Sequence, residues 1–280
     1  MPKNESAAVY TDKDQDPAVW EQEVSKRCGL PSRLGACGKP PSPPLRHVIV
    51  ERDEFKIRLA DTDGQRSSAS LLIKRMYAWR GYETGTVSED SPSNVVTLVA
   101  HTNDAAERMI GTLTLWFDCP SGLPADAAYR DRLDTLRDQG RKLCEPGSLA
   151  VDSAAMGSKP LLATMFHLTY MYIQSFQGPS DLIVQINPRH SAFYQRMLGF
   201  TRLGELRTCP KVNAPAVLLT VSTEHMQAQI EKYGGRAARA FEDRSLYPYF
   251  FSAKEEKGLS GRLWSRAASG EEGVQENIQA

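Results

Sequence analysis

The chain has no excess of charge of either sign. Its 280 residues carry 34 Lys and Arg against 34 Asp and Glu. A global basic field for nucleic acid is therefore excluded, and a charged partner has to be met by a local patch. Cysteine is sparse. Cys28, Cys37, Cys119, Cys144 and Cys209 are scattered, odd in number and form no Cys-x-x-Cys pair. Neither a zinc site nor a disulfide framework is expected, which suits a reducing cytoplasm. The five histidines show no His-x-x-x-His or His-Glu-x-x-His spacing, so no metal site is expected. No apolar run approaches the ~18 residues that cross a bilayer. The N-terminus has no apolar h-region, so no signal peptide is expected. The expectation is a cytoplasmic protein with no transmembrane segment and no nucleic-acid partner.

Residues 1–45 are rich in Lys, Asp, Ser, Gly and Pro and end in Pro40, Pro41, Pro43 and Pro44. They read as a disordered, Pro-rich leader. The tail from about Ser265 reads the same way. Between them α and β patterns alternate. Phe55–Ala60 alternates apolar and polar like a half-buried strand. A helix over Gln65–Arg80 follows, capped by Asp61 or Asp63, with Leu72, Met76 and Trp79 on its inward face. Val95–Ala100 and Met109–Phe117 form an expected antiparallel hairpin. Then come a charged helix over Pro124–Gly140 with Leu133 and Leu136 inward, a strand over Lys142–Val151, and an apolar helix over Pro160–Phe176. Closing strands are expected at Thr201–Leu206 and Ala216–Val221, followed by a charged helical segment anchored by Tyr247, Tyr249, Phe250 and Phe251. The expected division is a leader at 1–45, one α/β domain at 46–222, and a helical C-terminal extension with a disordered tail at 223–280.

The most informative stretch is Leu182–Ile186 followed by Asn187 to Phe200. A run of β-formers stops at Asn187-Pro188. A short helix bearing Tyr194 follows and closes at Gly199 before Phe200. Pro188 suits the first helical position and Gly199 the C-terminal cap.

This motif resembles the last motif of the GNAT acyltransferase superfamily. The resemblance implies an α/β (α+β) fold, a mixed central sheet flanked by helices whose splayed strands form the cleft for an acyl chain and its pantetheine arm. The strand Leu143–Asp152 resembles the superfamily's central strand. That strand presents a backbone amide to the thioester carbonyl, here around Leu149 and Val151, and often supplies a carboxylate base, here Glu145. An amine must lose a proton to attack a thioester, and a carboxylate within hydrogen-bond reach can accept it. The alternative for Glu145 is a solvent-facing residue paired with Arg141. In the same resemblance Tyr194 protonates the departing thiolate, and Asn187 belongs to the substrate-contacting strand end. Cys144 reads as a buried strand cysteine, not a nucleophile.

Two subfamilies come closer. The acyl-homoserine lactone synthases share Glu145 with Ala150-Val151. They differ in having arginines where this chain has Ser148 and Thr114, which argues against their S-adenosylmethionine substrate. The long-chain N-acyl amino acid synthases fit better. The chain resembles them in Arg66 with Leu72, Tyr77 and Arg80-Gly81-Tyr82, in Gly111–Asp118, in Gly122–Asp126, in Cys144-Glu145 with Leu149–Asp152, in Asn187–Phe200 and in Cys209–Leu218.

That resemblance implies transfer of a fatty acyl group from acyl carrier protein to an amino acid's α-amine. The chain itself would bind no cofactor. The thioester would ride on the donor's phosphopantetheine, with acyl-CoA as the alternative donor. The loop Ser153–Pro160 keeps one glycine and places Pro160 where an amide donor would grip a CoA pyrophosphate, which favours a carrier protein. Arg189, Arg196, Arg202 and Lys211 are the named docking cations, with Arg207 beside them. Trp116, Phe117, Phe166, Met165, Leu168, Tyr172 and Phe176 are candidates to line an apolar tunnel, against a plain core role. Arg66 and Arg80 are candidates for the acceptor's carboxylate. The rival readings are a small-molecule N-acetyltransferase using acetyl-CoA, a lactone synthase, and a non-enzymatic acyl-carrier-binding module.

Overall fold

A computed structural model describes residues 49–79, 81–82, 94–152, 158–176 and 180–260. The expected leader, Arg80, the loop residues Ser153–Gly157 and the tail from Ser265 lie outside the described residues. All described residues belong to the second of two compact units, 37–280.

The elements run β1 (Val50–Glu51), β2 (Phe55–Leu59), α1 (Asp63–Ala78), β3 (Val95–Thr102), β4 (Met109–Phe117), α2 (Asp126–Asp138), β5 (Leu143–Val151), α3 (Lys159–Phe176), β6 (Asp181–Ile186), α4 (Ser191–Leu198), β7 (Thr201–Arg202), β8 (Arg207–Cys209), β9 (Ala214–Ser222) and α5 (Thr223–Tyr233). One open mixed sheet has the order β1-β2-β3-β4-β5-β6-β9-β7, with β8 added to β9. Every pairing is antiparallel except β5 with β6. That parallel pair holds at only two positions, Leu143↔Asp181 and Cys144↔Leu182. Beyond them β5 stays on β4 and β6 stays on β9, so the two central strands part from Glu145 onward.

Strand alternation assigns the faces. Leu113, Leu115, Phe117, Cys144, Leu182 and Val184 turn to the main core with α3. Leu143, Ile183 and Leu218 turn the other way, under Tyr129 and Leu133 of α2. Ala150 meets Leu72, Ile73 and Met76 of α1. Helix α3 is apolar on all sides and correspondingly enclosed, with twelve buried residues from Leu161 to Ile173. Residues past Ser222 contribute Met226, Ile230, Leu246, Tyr247, Phe250 and Phe251 to the same main core. Tyr249 is partly buried against it.

Several local expectations need correction. The cap of α1 is Thr62, whose hydroxyl accepts from Gln65 N while Gln65 reaches back, a reciprocal pair that neither Asp61 nor Asp63 makes. Trp79 is 70 % exposed and Leu136 only partly buried. Thr201–Leu206 is a strand for two residues only. Leu203 N and Gly204 N both donate to Leu218 O, at 2.9 and 3.1 Å, and the chain then leaves the ladder under the Tyr129 ring. Strand β1 is too short to show an alternation, and β8 falls between the two expected closing strands. Among the described residues no helix is long and apolar enough to cross a membrane.

Candidate active site

Glu145 is the first β5 residue past the last β5–β6 pairing and stands opposite Trp116 of β4. It is 5 % exposed. It does not pair with Arg141, which binds Asp181 through two bonds of 2.6 Å. The Glu145 Oε2 accepts a 2.7 Å hydrogen bond from Ala125 N, the residue that opens α2. Burial pushes its carboxyl up to about 8. The Ala125 amide and Lys211 oppose the shift, and Asp126 and Asp118 add to it. A carboxyl titrating near neutrality inside a parting sheet suits a proton acceptor.

The Ala125 amide is held by a turn that the sequence motif Gly122–Asp126 builds. Gly122 has φ +83, and any Cβ there would stand 2.6 Å from the Asp126 carboxylate, so glycine is required. Asp126 accepts from Leu123 N at 2.6 Å. Arg137 then ties Asp126 to Asp118 and Asp134, with bonds of 2.7 to 2.9 Å. Alternation and helix propensity do not reveal this scaffold. The signals available were the Gly122–Asp126 motif and the isolated Asp118.

On β5 a bulge lies between the Thr114↔Gly147 and Thr112↔Ala150 pairs, and Ser148 takes φ +47. Leu149 and Val151 follow the bulge in the parted stretch, partly buried against the main core. Gly147 lies beneath the Trp116 ring, where a Cβ would come within 3.1 Å of it.

Tyr194 enters from the main-core side, buried edge-on against Phe166 at 6.1 Å, Phe193 at 5.5 Å and Phe200 at 5.4 Å. Burial raises its phenol well above the usual range, and Tyr77 adds to the effect. Glu145 and Tyr194 therefore belong to opposite faces of the sheet, on either side of the strand gap. Asn187 uses its side-chain oxygen to cap the short turn Pro188–His190, accepting from Arg189 N at 3.2 Å. Gly199 is left-handed at φ +78, as a C-terminal cap requires.

The other named residues are more dispersed. Phe117 packs on Phe176 at 4.5 Å and, like Phe166, is fully buried in the core. Met165, Leu168 and Tyr172 are buried in the same core. Arg66 binds Asp63 on its own helix, and its Nε is buried without a hydrogen-bond partner. Arg80 lies outside the described residues. Arg189, Arg196 and Arg202 are exposed. Arg189 lies over Tyr82 at 5.2 Å, and Arg202 donates to Gly204 O at 3.0 Å. Arg207 is occupied by Asp131, Glu205 and the Ala128 carbonyl. Lys211, grouped with the docking arginines in the sequence, instead lies over the Trp116 ring at 5.7 Å. Cys144 is fully buried, and burial raises its thiol pKa, as for an inert core cysteine.

Comparison with known proteins gives these features a frame. The family model described as "N-acyl amino acid synthase FeeM" matches residues 68–222, more than half of the chain. The solved structure of FeeM, an N-acyl amino acid synthase from uncultured soil microbes, is 25% identical with a TM-score of 0.55. The match covers 62% of this chain and 93% of that one. Two weaker likenesses are Escherichia coli ElaA (11% identity, TM-score 0.43, 60% and 97% covered) and the AHL synthase LasI (12%, 0.45, 61% and 91%). A search of the curated proteins finds no match.

Proposed function

This chain belongs to the N-acyl amino acid synthase FeeM family, and on that premise we propose that it moves a long-chain fatty acyl group from acyl carrier protein to the α-amine of an amino acid. It is an acyltransferase with a GNAT-like fold. The observation that carries the finer reading is Glu145, a buried carboxyl raised to about 8 where the central strands part. The acceptor's amine attacks the thioester carbonyl. A C–N bond forms, the C–S bond breaks, and the amine proton passes to Glu145 directly or through water. An arriving ammonium favours the Glu145 carboxylate, which offsets the desolvation that keeps it protonated in the empty site. That ammonium gives one proton to solvent before attack, and Glu145 takes the proton lost as the C–N bond forms. A backbone amide in the Leu149–Val151 stretch would meet the developing oxyanion. Tyr194 would protonate the leaving thiolate. The exposed Arg189, Arg196 and Arg202 support an acidic carrier as donor. So does the single glycine of the loop before Pro160.

The test compares lipid extracts of cells expressing the chain with cells expressing Glu145→Gln, by mass spectrometry. N-acyl amino acids in the first sample only uphold the reading and reveal acceptor and chain length. Retained carrier binding with no new lipid marks a non-enzymatic carrier-binding module. Turnover with acetyl-CoA alone marks a small-molecule acetyltransferase. For purified protein, Glu145→Gln should lower turnover by roughly 10²–10⁴-fold.

A further inference from the structure

We propose that Lys211 binds the acceptor's α-carboxylate, so that Lys211 and Glu145 read the two ends of a zwitterion across the Trp116 ring. The inference rests on the acyl-transfer reading of the Glu145 site. Trp116 and Glu145 are direct partners across β4 and β5. The Lys211 ammonium lies 5.7 Å from the Trp116 ring centre and near enough to act on the Glu145 carboxyl. It forms no ion pair within 4 Å among the described residues. Three neighbouring cations are already matched: Arg137 by Asp118, Asp126 and Asp134, Arg141 by Asp181, and Arg207 by Asp131 and Glu205. Lys211 is thus a cation beside the base that an incoming carboxylate can pair with.

The turn that carries Lys211 is fixed in place while its side chain is left free. Cys209 pairs with Ala214, and Asn213 takes φ +43 to close the connection between β8 and β9. Arg207 and Tyr129 pin this hairpin to α2, the same helix whose first amide holds Glu145. The two charged ends of the reader are thus set by one helix. Gly147, which has no Cβ, lets the Trp116 ring lie close against β5, and that ring is the aromatic wall the acceptor's side chain would meet.

The experiment uses full-length protein, a palmitoyl-loaded acyl carrier protein, and three acceptor pairs: L-tyrosine with tyramine, L-phenylalanine with phenethylamine, and L-leucine with isoamylamine. Lys211→Met should raise the KM of the amino acids about 10–100-fold, the range of one charged hydrogen bond. Any effect of the lost charge on Glu145 is shared by an amino acid and its paired amine, so kcat/KM for each amino acid should fall about 10–100-fold further than for that amine. Lys211→Arg should recover part of the loss. An unchanged amino-acid KM, or a parallel loss for amino acids and amines, overturns the proposal while leaving the acyl-transfer reading intact. If the wild type acylates nothing, saturation-transfer NMR with the same six compounds decides. Amino-acid binding lost in Lys211→Met upholds the Lys211 site while the transferase reading fails. Equal binding by both proteins, or none by the wild type, overturns it.

Discussion

Arg137 holds Asp126 end-on through two bonds of 2.7 Å, Nη1 to Oδ1 and Nη2 to Oδ2. The same guanidinium reaches Asp118 through Nε at 2.7 Å and Nη2 at 2.9 Å. Asp126 in turn fixes the turn whose Ala125 amide binds Glu145. Charge-assisted fork geometry of this kind is not reproduced by lysine.

Replacing Arg137 with methionine should therefore cost more than a surface ion pair. It leaves Asp126, which is nearly buried, and Asp118 without their counter-charge. The expected loss is roughly 3 kcal/mol in urea unfolding, the lower end for breaking a buried pair. Arg137→Lys should recover only part of it. An unchanged midpoint for both variants would show that the network contributes nothing.

Glu145 sets a pH dependence of its own. Its folded pKa of about 8 lies above the ordinary 4.5. Between those values the folded protein retains a proton that the unfolded chain releases. Stability from this group is therefore present below pH 4.5 and falls as pH rises through 8, by at most about 1.4 kcal/mol per unit. Glu145→Gln keeps an acceptor for the Ala125 amide and has no charge to bury. The variant should melt above the wild type at pH 8.5, with the gap closing by pH 5. A constant gap would mean that Glu145 is not the group that titrates.

Much of the sheet was legible because it follows from local chemistry, whereas its parting was implied only by the superfamily resemblance. Asn187-Pro188 and Gly199 mark where β6 ends and α4 closes, since each residue type suits its backbone position. Val95–Ala100 and Met109–Phe117 are runs of β-formers, and they form the expected antiparallel pair. Trp79 was illegible for the opposite reason. It continues the apolar stripe read for α1, but that stripe packs on the sheet only as far as Met76 and Tyr77, and Trp79 is the cap residue past the helix, exposed. The surroundings of Glu145 depend on contacts between residues far apart in sequence. Ala125 lies 20 positions away, and neither its amide nor Lys211 leaves a periodic trace. The resemblance named Glu145, the Gly122–Asp126 stretch and Lys211 separately; the geometry brought the turn and the lysine to one carboxyl.

His167 predicts a second, opposite pH limb. Its ring is fully buried in α3, and Nδ1 accepts from Phe251 N at 2.9 Å. Nε2 faces Glu256 at 3.4 Å, and the ring packs on Phe250, Phe251 and Tyr170. Burial lowers its pKa below 6.5, against the pull of Glu256 and Glu255. As pH falls below 6.5 the unfolded chain takes up a proton that the folded chain refuses, so stability from this group is lost toward acid. Protonating Nδ1 also breaks the Phe251 bond. The protection of amides over 246–260, taken against the intrinsic exchange rate at each pH, should fall between pH 7 and pH 5 in the wild type. In His167→Gln, which can still accept from Phe251 N, that change should be smaller. Equal pH responses in the two proteins would remove His167 as the cause.

Gly147 offers a steric test of the site that leaves Glu145 untouched. An added Cβ would stand 3.1 Å from the Trp116 ring, closer than ordinary contact, so the ring has to give by a few tenths of an ångström. Trp116 is only partly buried and sits at the edge of the α2 cluster, so it can move. Gly147→Ala should therefore leave thermal stability within about 1 kcal/mol, as for a small overpacking relieved at a partly open position. On the acceptor site proposed above, the displaced indole would crowd the position of the acceptor's side chain. Bulky acceptors should lose more than small ones: the KM for tyrosine should rise several-fold relative to that for alanine, with kcat for alanine retained. A uniform loss across acceptors, or a large fall in melting temperature, would show that Gly147 serves the strand and not the acceptor.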